Sequence, residues 1–330
     1  MGALRIRTVG FVGTGIMGSA IAGHLLDAGY HLMVNTRTKE KAASLLERGA
    51  RLASTPAEVA QKADVTFTML GFPSDVEEVY LASDGLLGAA RKGTWMVDLT
   101  TSSPQLAREI HDAAEVMDCH AVDCPVTGGE EGARAGTLTI MLGCERKDAE
   151  PIVPVLETFS SNMLWFGRAG AGQVAKLCNQ VCLAASMAGY AEALALAKQA
   201  GLDPMRVREL VMSGTGASAS MERLAPLSLA GDFKPRFMSE HMLKDLGLAL
   251  AESEELGLDL PETSAAFSLF ELLCEIGGRR LGTQAITLLY EDEEKGASAG
   301  LDWSLIDDVP VDDDPADGFD IRRYHLSHRM

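Results

Sequence analysis

The sequence contains no uninterrupted run of eighteen apolar residues, so no membrane-spanning helix is expected. Its six cysteines (Cys119, Cys124, Cys144, Cys178, Cys182 and Cys274) form no CxxC pair, which removes finger-type zinc sites and dithiol redox motifs. They are expected to be buried, reduced thiols. Cys178 and Cys182, four residues apart in an apolar stretch, read as small core residues. No metal site is expected. Positive charge is scarce: 29 Lys and Arg stand against 47 Asp and Glu, a net charge of −18. That balance argues against nucleic acid and against an anionic membrane surface as partners. No charged-then-apolar leader with a cleavage site precedes the first apolar run, and a cytoplasmic protein is expected.

What is present divides into three parts. Up to about residue 150, short apolar runs alternate with helical spacing. Strands are expected at 8–12, 31–34, 65–70, 95–99, 121–124 and 137–142. Helices are expected at 16–28, 40–48 and 103–117. Such alternation implies an α/β Rossmann-type domain, a parallel sheet with helices on both faces, over 1–168. Beyond 170 no strand signal is strong. Helices are expected at 173–200, 204–212, 239–256 and 262–276, giving an all-α domain over 169–290. Residues 291–330 carry twelve Asp and Glu against four Lys and Arg and read as an extended acidic tail.

The first expected strand runs into Gly13-Thr14-Gly15-Ile16-Met17-Gly18, a GxGxxG turn that opens a helix. This is the context a dinucleotide fingerprint requires. Gly13 permits the tight turn, Gly15 lets backbone approach a pyrophosphate, and Gly18 lets helix and strand pack closely. The helix N-terminus presents unpaired N–H groups to phosphates. The second strand ends at Asn35-Thr36-Arg37-Thr38, with no acid to bind a ribose 2′-OH. Arg37 instead suits a 2′-phosphate, with Asn35, Thr36 and Thr38 as donors. NADP(H) is the preferred cofactor on this reading, and NAD(H) is possible.

Lys176 stands in the first turns of the long apolar helix, with Asn179 and Gln180 at i+3 and i+4 on one face. Between 167 and 191 the only charges are Arg168 and Lys176. An amine in such surroundings can donate a proton to a carbonyl oxygen as hydride reaches the carbon.

Five segments, in order, give a resemblance to the β-hydroxyacid dehydrogenase family, the group of 3-hydroxyisobutyrate dehydrogenase, tartronate semialdehyde reductase and the glyoxylate/succinic semialdehyde reductases. They are 10–18, 98–104, 123–129 with 136–139 after it, 170–172 with Lys176 and Asn179, and 244–246. The resemblance implies that Lys176 is the catalytic lysine. It implies that Thr127, Gly128 and Gly129 bind a substrate carboxylate, partly through backbone N–H groups, and that Asn179 and Gln180 contact substrate. Thr101 is implied beside the nicotinamide, Leu70 and Pro73 beside the cofactor, and Lys244 as a lysine reaching the cofactor. Arg37 aligns with the arginine of NADP-preferring members. The implied reaction interconverts a small 3-hydroxy acid (or 2-hydroxy acid) and its semialdehyde or keto acid. A homodimer or homotetramer is implied too, which the long apolar helix and low aromatic content suit.

Four features depart from the family pattern. Thr127 stands where serine is usual, and Gln180 stands where asparagine is usual. Residues 217–221 lack an aromatic, and the acidic tail has no counterpart. An imine reductase shares the two-domain plan but mostly has Asp or Tyr at the lysine position. A third reading, an NADPH-binding interaction protein with weak catalysis, would use Trp303 and Phe319 to anchor the acidic tail on a partner or sister subunit.

Overall fold

The computed structural model describes residues 6–306. The chain divides into two compact units, 1–177 and 178–330. The division falls inside the long helix that follows residue 170.

In the first unit the strands β1 (Thr8–Val12), β2 (His31–Asn35), β3 (Arg51–Leu52), β4 (Val65–Thr68), β5 (Trp95–Asp98) and β6 (His120–Asp123) form one sheet. Its order is β3-β2-β1-β4-β5-β6 and every pairing is parallel. The helices α1 (Ile16–Asp27), α2 (Ala43–Glu47), α3 (Pro56–Lys62), α4 (Pro73–Leu81) and α5 (Pro104–Val116) connect these strands. The expected helix at 40–48 is split: a 3-10 turn, Lys39–Ala42, precedes α2.

The two faces of the sheet bury separate cores, as a parallel sheet must. Val9 and Phe11 of β1 pack with Ile21 and Leu25 of α1 and Leu45 of α2. Val12 packs on the other face with Val59 of α3, Val76 and Tyr80 of α4 and Ile110 of α5. Gly10 lets α3 approach that face, since a Cβ there would lie 2.3 Å from Val59 Cγ1. The short β3, α3 and α4 have no counterpart in the sequence reading, because few apolar positions mark elements of two to nine residues.

The strand at 138–142 belongs to a second sheet, not to the parallel one. Here β7 (Val126–Thr127) runs antiparallel to β8 (Leu138–Leu142), and β8 runs parallel to β9 (Ser160–Trp165). The helices α6 (Gly129–Ala135) and α7 (Val153–Leu156) lie between these strands in sequence.

The helix α8 (Ala171–Gln199) follows. By length and composition alone its 29 residues could cross a membrane, which qualifies the inference from uninterrupted apolar runs. Its buried residues include Gln173, Lys176 and Gln180, the pattern of a core helix that has polar partners. One stripe of α8, running through Cys178 and Cys182, is exposed. The reading of these two cysteines as core residues is thereby corrected: the stretch is apolar because its side chains are small, not because every face is covered. Cys119, Cys124 and Cys274 are buried, Cys144 is half-buried, and all six are free thiols. Burial pushes the Cys144 thiol up to about 12 and the Cys274 thiol up to about 11, so neither is poised for thiolate chemistry.

The second unit is helical: α9 (Pro204–Met212), α10 (Ala219–Arg223), α11 (Ala225–Leu229), α12 (Ser239–Glu255), α13 (Pro261–Glu275) and α14 (Glu293–Ser298). Its core joins Met187, Tyr190 and Leu194 of α8 to Met242 and Leu246 of α12 and Phe270 and Leu273 of α13. The first part of the acidic segment is ordered into this unit. Asp292 caps α14 by accepting a hydrogen bond from the Lys295 N–H at 2.8 Å. Trp303, only 5% exposed, is part of the helical core. It is thus a core side chain of its own chain rather than a surface anchor for the tail; Phe319 lies outside the described residues. Trp303→Ala is expected to destabilise the helical unit by about 3–5 kcal/mol, the usual cost of emptying a buried indole site. Urea unfolding followed by circular dichroism checks this, and an unchanged midpoint would refute it.

Candidate active site

All strands of the main sheet are parallel, so their carboxyl ends lie along one edge, where open α/β sheets bind ligands. The loops carrying most of the expected site residues leave from that edge. The glycine turn follows β1, Asn35–Thr38 closes β2, Leu70 follows β4, Thr101 follows β5, and Thr127 comes shortly after β6.

The glycine turn has the three properties that its spacing implies. Gly13 has φ +96°, and a Cβ on it would stand 2.2 Å from the Met69 carbonyl oxygen. A Cβ on Gly18 would stand 2.0 Å from the Gly13 carbonyl oxygen, so α1 can start this close to β1 only with glycine there. A Cβ on Gly15 would meet nothing within 4 Å, so that side of the turn is open. Gly15 is also the N-cap of α1 and supplies no side-chain cap, and the buried Thr14 hydroxyl has no hydrogen-bond partner. An open approach, an uncapped helix start and an orphaned hydroxyl fit the phosphates of a dinucleotide. Ile16, half exposed, and Met17 begin the helix on this side.

At the end of β2 the four expected residues are not equivalent. The Asn35 side-chain NH2 donates to the Ala53 carbonyl oxygen at 3.1 Å, so it braces the loop after β3. The Thr36 hydroxyl donates to the Thr38 carbonyl oxygen at 3.5 Å. Arg37 is 83% exposed and pairs with Asp75 of α4 at 3.0 Å. Asp75 is held in turn, accepting from the Phe72 N–H at 3.1 Å, next to Pro73, the first residue of α4.

Two buried carboxylates organise the loops after β4, β5 and β6. Asp98 Oδ1 accepts from the Thr68 hydroxyl at 2.7 Å and from the Thr100 N–H at 3.0 Å. The Thr100 hydroxyl accepts from the Leu70 N–H at 2.9 Å, so Asp98 and Thr100 together fix the loop that bears Leu70. Burial pushes the Asp98 carboxyl up to about 6 against the pull of these hydrogen bonds, and the charge of Asp123 adds to the rise. Asp123 accepts from the Gly170 N–H at Oδ1 and from the Gln173 N–H at Oδ2, both at 2.9 Å. Burial raises its carboxyl as well. The carboxylate occupies space that only glycines leave free: a Cβ on Gly143 would lie 2.0 Å from Oδ1, and one on Gly172 2.8 Å from Oδ2.

Lys176 follows on the same helix and is 7% exposed. In the same unit, Thr127 ends β7 and α6 starts at once, with Gly128 at φ +126° and Gly129 at φ +62°. These two conformations suit glycine.

In the helical unit, Gln180 is 1% exposed. Its Oε1 accepts from the Asn179 side chain at 2.8 Å, and its Nε2 donates to Asp245 Oδ2 at 2.6 Å. Lys244 pairs with Asp245 Oδ1 at 2.8 Å. Asp245 is therefore the centre of a polar cluster that joins three of the expected site residues. Sequence reading gave it no role beyond neighbouring Lys244. Asp98, Asp123 and Gln173 were missed likewise. The first two open the segments 98–104 and 123–129, and a lone Gln at the start of an apolar helix resembles an ordinary helix former.

A β3-β2-β1-β4-β5-β6 parallel sheet with this glycine turn defines the dinucleotide-binding class of oxidoreductase. Residues 8–167 match the family described as the NAD binding domain of 6-phosphogluconate dehydrogenase. Residues 170–290 match that described as "NAD-binding of NADP-dependent 3-hydroxyisobutyrate dehydrogenase". The chain is 40% identical over 284 residues to the probable 3-hydroxyisobutyrate dehydrogenase-like 1, mitochondrial, of Arabidopsis thaliana, covering 86% of this chain and 85% of that one. It is 37% identical over 293 residues to the NAD-dependent L-serine dehydrogenase of Pseudomonas aeruginosa, covering 87% and 98%. The solved structure of Mycobacterium tuberculosis 3-hydroxyisobutyrate dehydrogenase with L-serine matches with a TM-score of 0.80 at 31% identity, covering 87% and 100%. The chain belongs to the β-hydroxyacid dehydrogenase family and is an NAD(P)-dependent dehydrogenase.

Proposed function

We propose that this enzyme interconverts a small 3-hydroxy acid, or a 2-hydroxy acid, and its semialdehyde or keto acid, with NADP(H) as the preferred cofactor and Lys176 as the proton donor and acceptor. The observation that carries the reading is Lys176 itself, a lysine 7% exposed on the helix whose first turn is bonded to the loop after β5 and to the end of β6. A nicotinamide cofactor, held by the Gly13–Gly18 turn, would supply the hydride chemistry. The protein's part is to place the reacting carbon and handle the proton. In oxidation the Lys176 amine takes the hydroxyl proton; in reduction its ammonium gives one to the carbonyl oxygen. The N–H groups of Gly128 and Gly129, with the Thr127 hydroxyl, hold the substrate carboxylate. Asn179 offers its amide to the substrate, while Gln180 is braced on Asp245. That bracing replaces the shorter amide usual in the family and bears on which hydroxy acid is accepted. L-Serine and 3-hydroxyisobutyrate are the first substrates to test, with turnover read from nicotinamide absorbance. Turnover of neither, nor of any other small hydroxy acid, would overturn the proposal. The assembly we propose is a homodimer or homotetramer, as the family resemblance implies.

The preference for NADP(H) rests on Arg37. Its ion pair with Asp75 is at the surface, and such pairs contribute about 0–1 kcal/mol. Arg37 therefore turns readily to a 2′-phosphate, which offers more charge and a forked contact. Arg37→Ala is expected to weaken NADPH binding about tenfold or more and to leave NADH binding unchanged, since charge-assisted hydrogen bonds contribute about 1.5–3 kcal/mol. Asp75→Asn removes the competing carboxylate and is expected to tighten NADPH binding a few-fold. Fluorescence titration with both cofactors checks this. Equal changes for NADPH and NADH would refute it.

A further inference from the structure

We propose that Gln173 is a positioning residue, which holds Lys176 in register with the cofactor-contacting loop; this rests on the reading of Lys176 given above. Gln173 is fully buried. Its side-chain Oε1 accepts from the Ser102 N–H at 2.9 Å, and its Nε2 donates to the Thr100 carbonyl oxygen at 2.8 Å. One amide thus grips the backbone on both sides of Thr101. Its own N–H is fixed by Asp123, which also holds Gly170, so the first turn of α8 is tied to the end of β6 as well. Lys176 lies three residues on, one helical turn away on the same face. Thr100 carries the connection further, through the Leu70 N–H that its hydroxyl accepts and through Asp98.

The chemistry needs an amide. Glutamate keeps the acceptor for Ser102 but sets an anionic oxygen against the Thr100 carbonyl, and methionine keeps the volume but loses both bonds. Small displacements of a reacting group carry large rate costs, up to about a hundredfold for 1 Å. A residue that sets the distance between Lys176 and Thr101 should therefore act on kcat more than on cofactor binding.

The test compares wild type, Q173M, Q173E and K176A in carbonyl reduction with NADPH and with NADPH deuterated at the transferred position. Q173M is expected to fold, to bind NADPH within about threefold of wild type, and to lose about tenfold or more in kcat with a smaller change in KM. Its deuterium isotope effect on kcat should rise as the hydride step becomes limiting. Q173E should be slower than Q173M near neutral pH. It should recover relative to wild type as pH falls, because a protonated carboxyl regains the donor for Thr100. A merely structural role predicts a lower melting temperature for both variants with kcat, isotope effect and pH profile like wild type, and that result would overturn the inference. The two ways of failing are distinct. An active K176A overturns the reading of Lys176 and this inference with it. An inactive K176A beside a fully active Q173M overturns this inference alone.

Discussion

Replacing Lys176 by alanine is expected to lower kcat by about 10²–10⁴-fold, the span that a positioned acid–base group contributes, while NADPH still binds. The expectation follows from placement. Lys176 is buried on a helix whose first turn is fastened to the dinucleotide-binding unit by Asp123 and Gln173. The cofactor turn, the loop after β5 and Lys176 all belong to that unit. Removing the amine deletes the proton carrier and leaves the glycine turn, Gly13 to Gly18, untouched. Lys176→Arg retains a charge but not a group that can release a proton near neutral pH, so it should be nearly as slow as the alanine variant. Steady-state kinetics with a parallel NADPH titration separates the effects. A variant that binds NADPH and reduces its substrate at the wild-type rate would show that the proton comes from elsewhere.

Replacing Asp98 by asparagine is expected to stabilise the protein above pH 6 and to remove part of its pH dependence. Two donors to Asp98, the Thr68 hydroxyl and the Thr100 N–H, reach the same oxygen, Oδ1, and the Thr100 side chain bonds the carboxyl as well. Asparagine can keep the two bonds at that oxygen while it loses the charge. Burial raises the Asp98 carboxyl from 3.8 to about 6. A raised carboxyl is protonated in the folded state at a pH where the unfolded chain has already released the proton. Its effect on stability is therefore absent below 3.8, grows as pH rises from 3.8 to about 6, and is fully unfavourable above that. The shift corresponds to about 3 kcal/mol at most, at 1.36 kcal/mol per unit. Urea unfolding of both proteins from pH 4 to 8 should show the asparagine variant gaining on wild type as pH rises. A difference that stays flat with pH would refute this. Asp123 offers a contrast, because both of its oxygens accept N–H donors from the start of α8. Asparagine there would set its NH2 against one of them, so Asp123→Asn is expected to destabilise at every pH.

The order of difficulty in reading this molecule from its sequence has physical causes. Short stretches rich in apolar, aromatic and β-branched residues, TVGFV, VTFT and WMVD, mark buried parallel strands, so β1, β4 and β5 were legible. So was α8, where only Gly189 interrupts the run of helix formers from 173 to 200. The glycine turn was legible because each glycine answers a separate steric demand, and the structure shows each one: a backbone contact at Gly13, an open side at Gly15 and a close packing at Gly18. The second sheet was not legible. Its β9 opens on three polar residues, Ser160, Ser161 and Asn162, and its β7 has two residues. Nor were the partners of Gln173 and Gln180. Those contacts span 71 to 73 and 65 residues, and nothing in local spacing records which distant carbonyl or carboxylate an amide will meet. The acidic segment shows the same limit from the other side. Its composition resembles a solvated tail, yet one indole, Trp303, ties its first part to the helical core.

The most direct test of the account follows the hydride itself. The purified enzyme is incubated with NADPH deuterated at the transferred position and with a panel of small aldehyde and keto acids, and the products are read by mass spectrometry. The account predicts at least one hydroxy acid carrying a single deuterium on its carbinol carbon, formed by wild type and lost in Lys176→Ala. Bound NADPH with no label in any product would contradict it and point instead to a protein that holds the cofactor without using it.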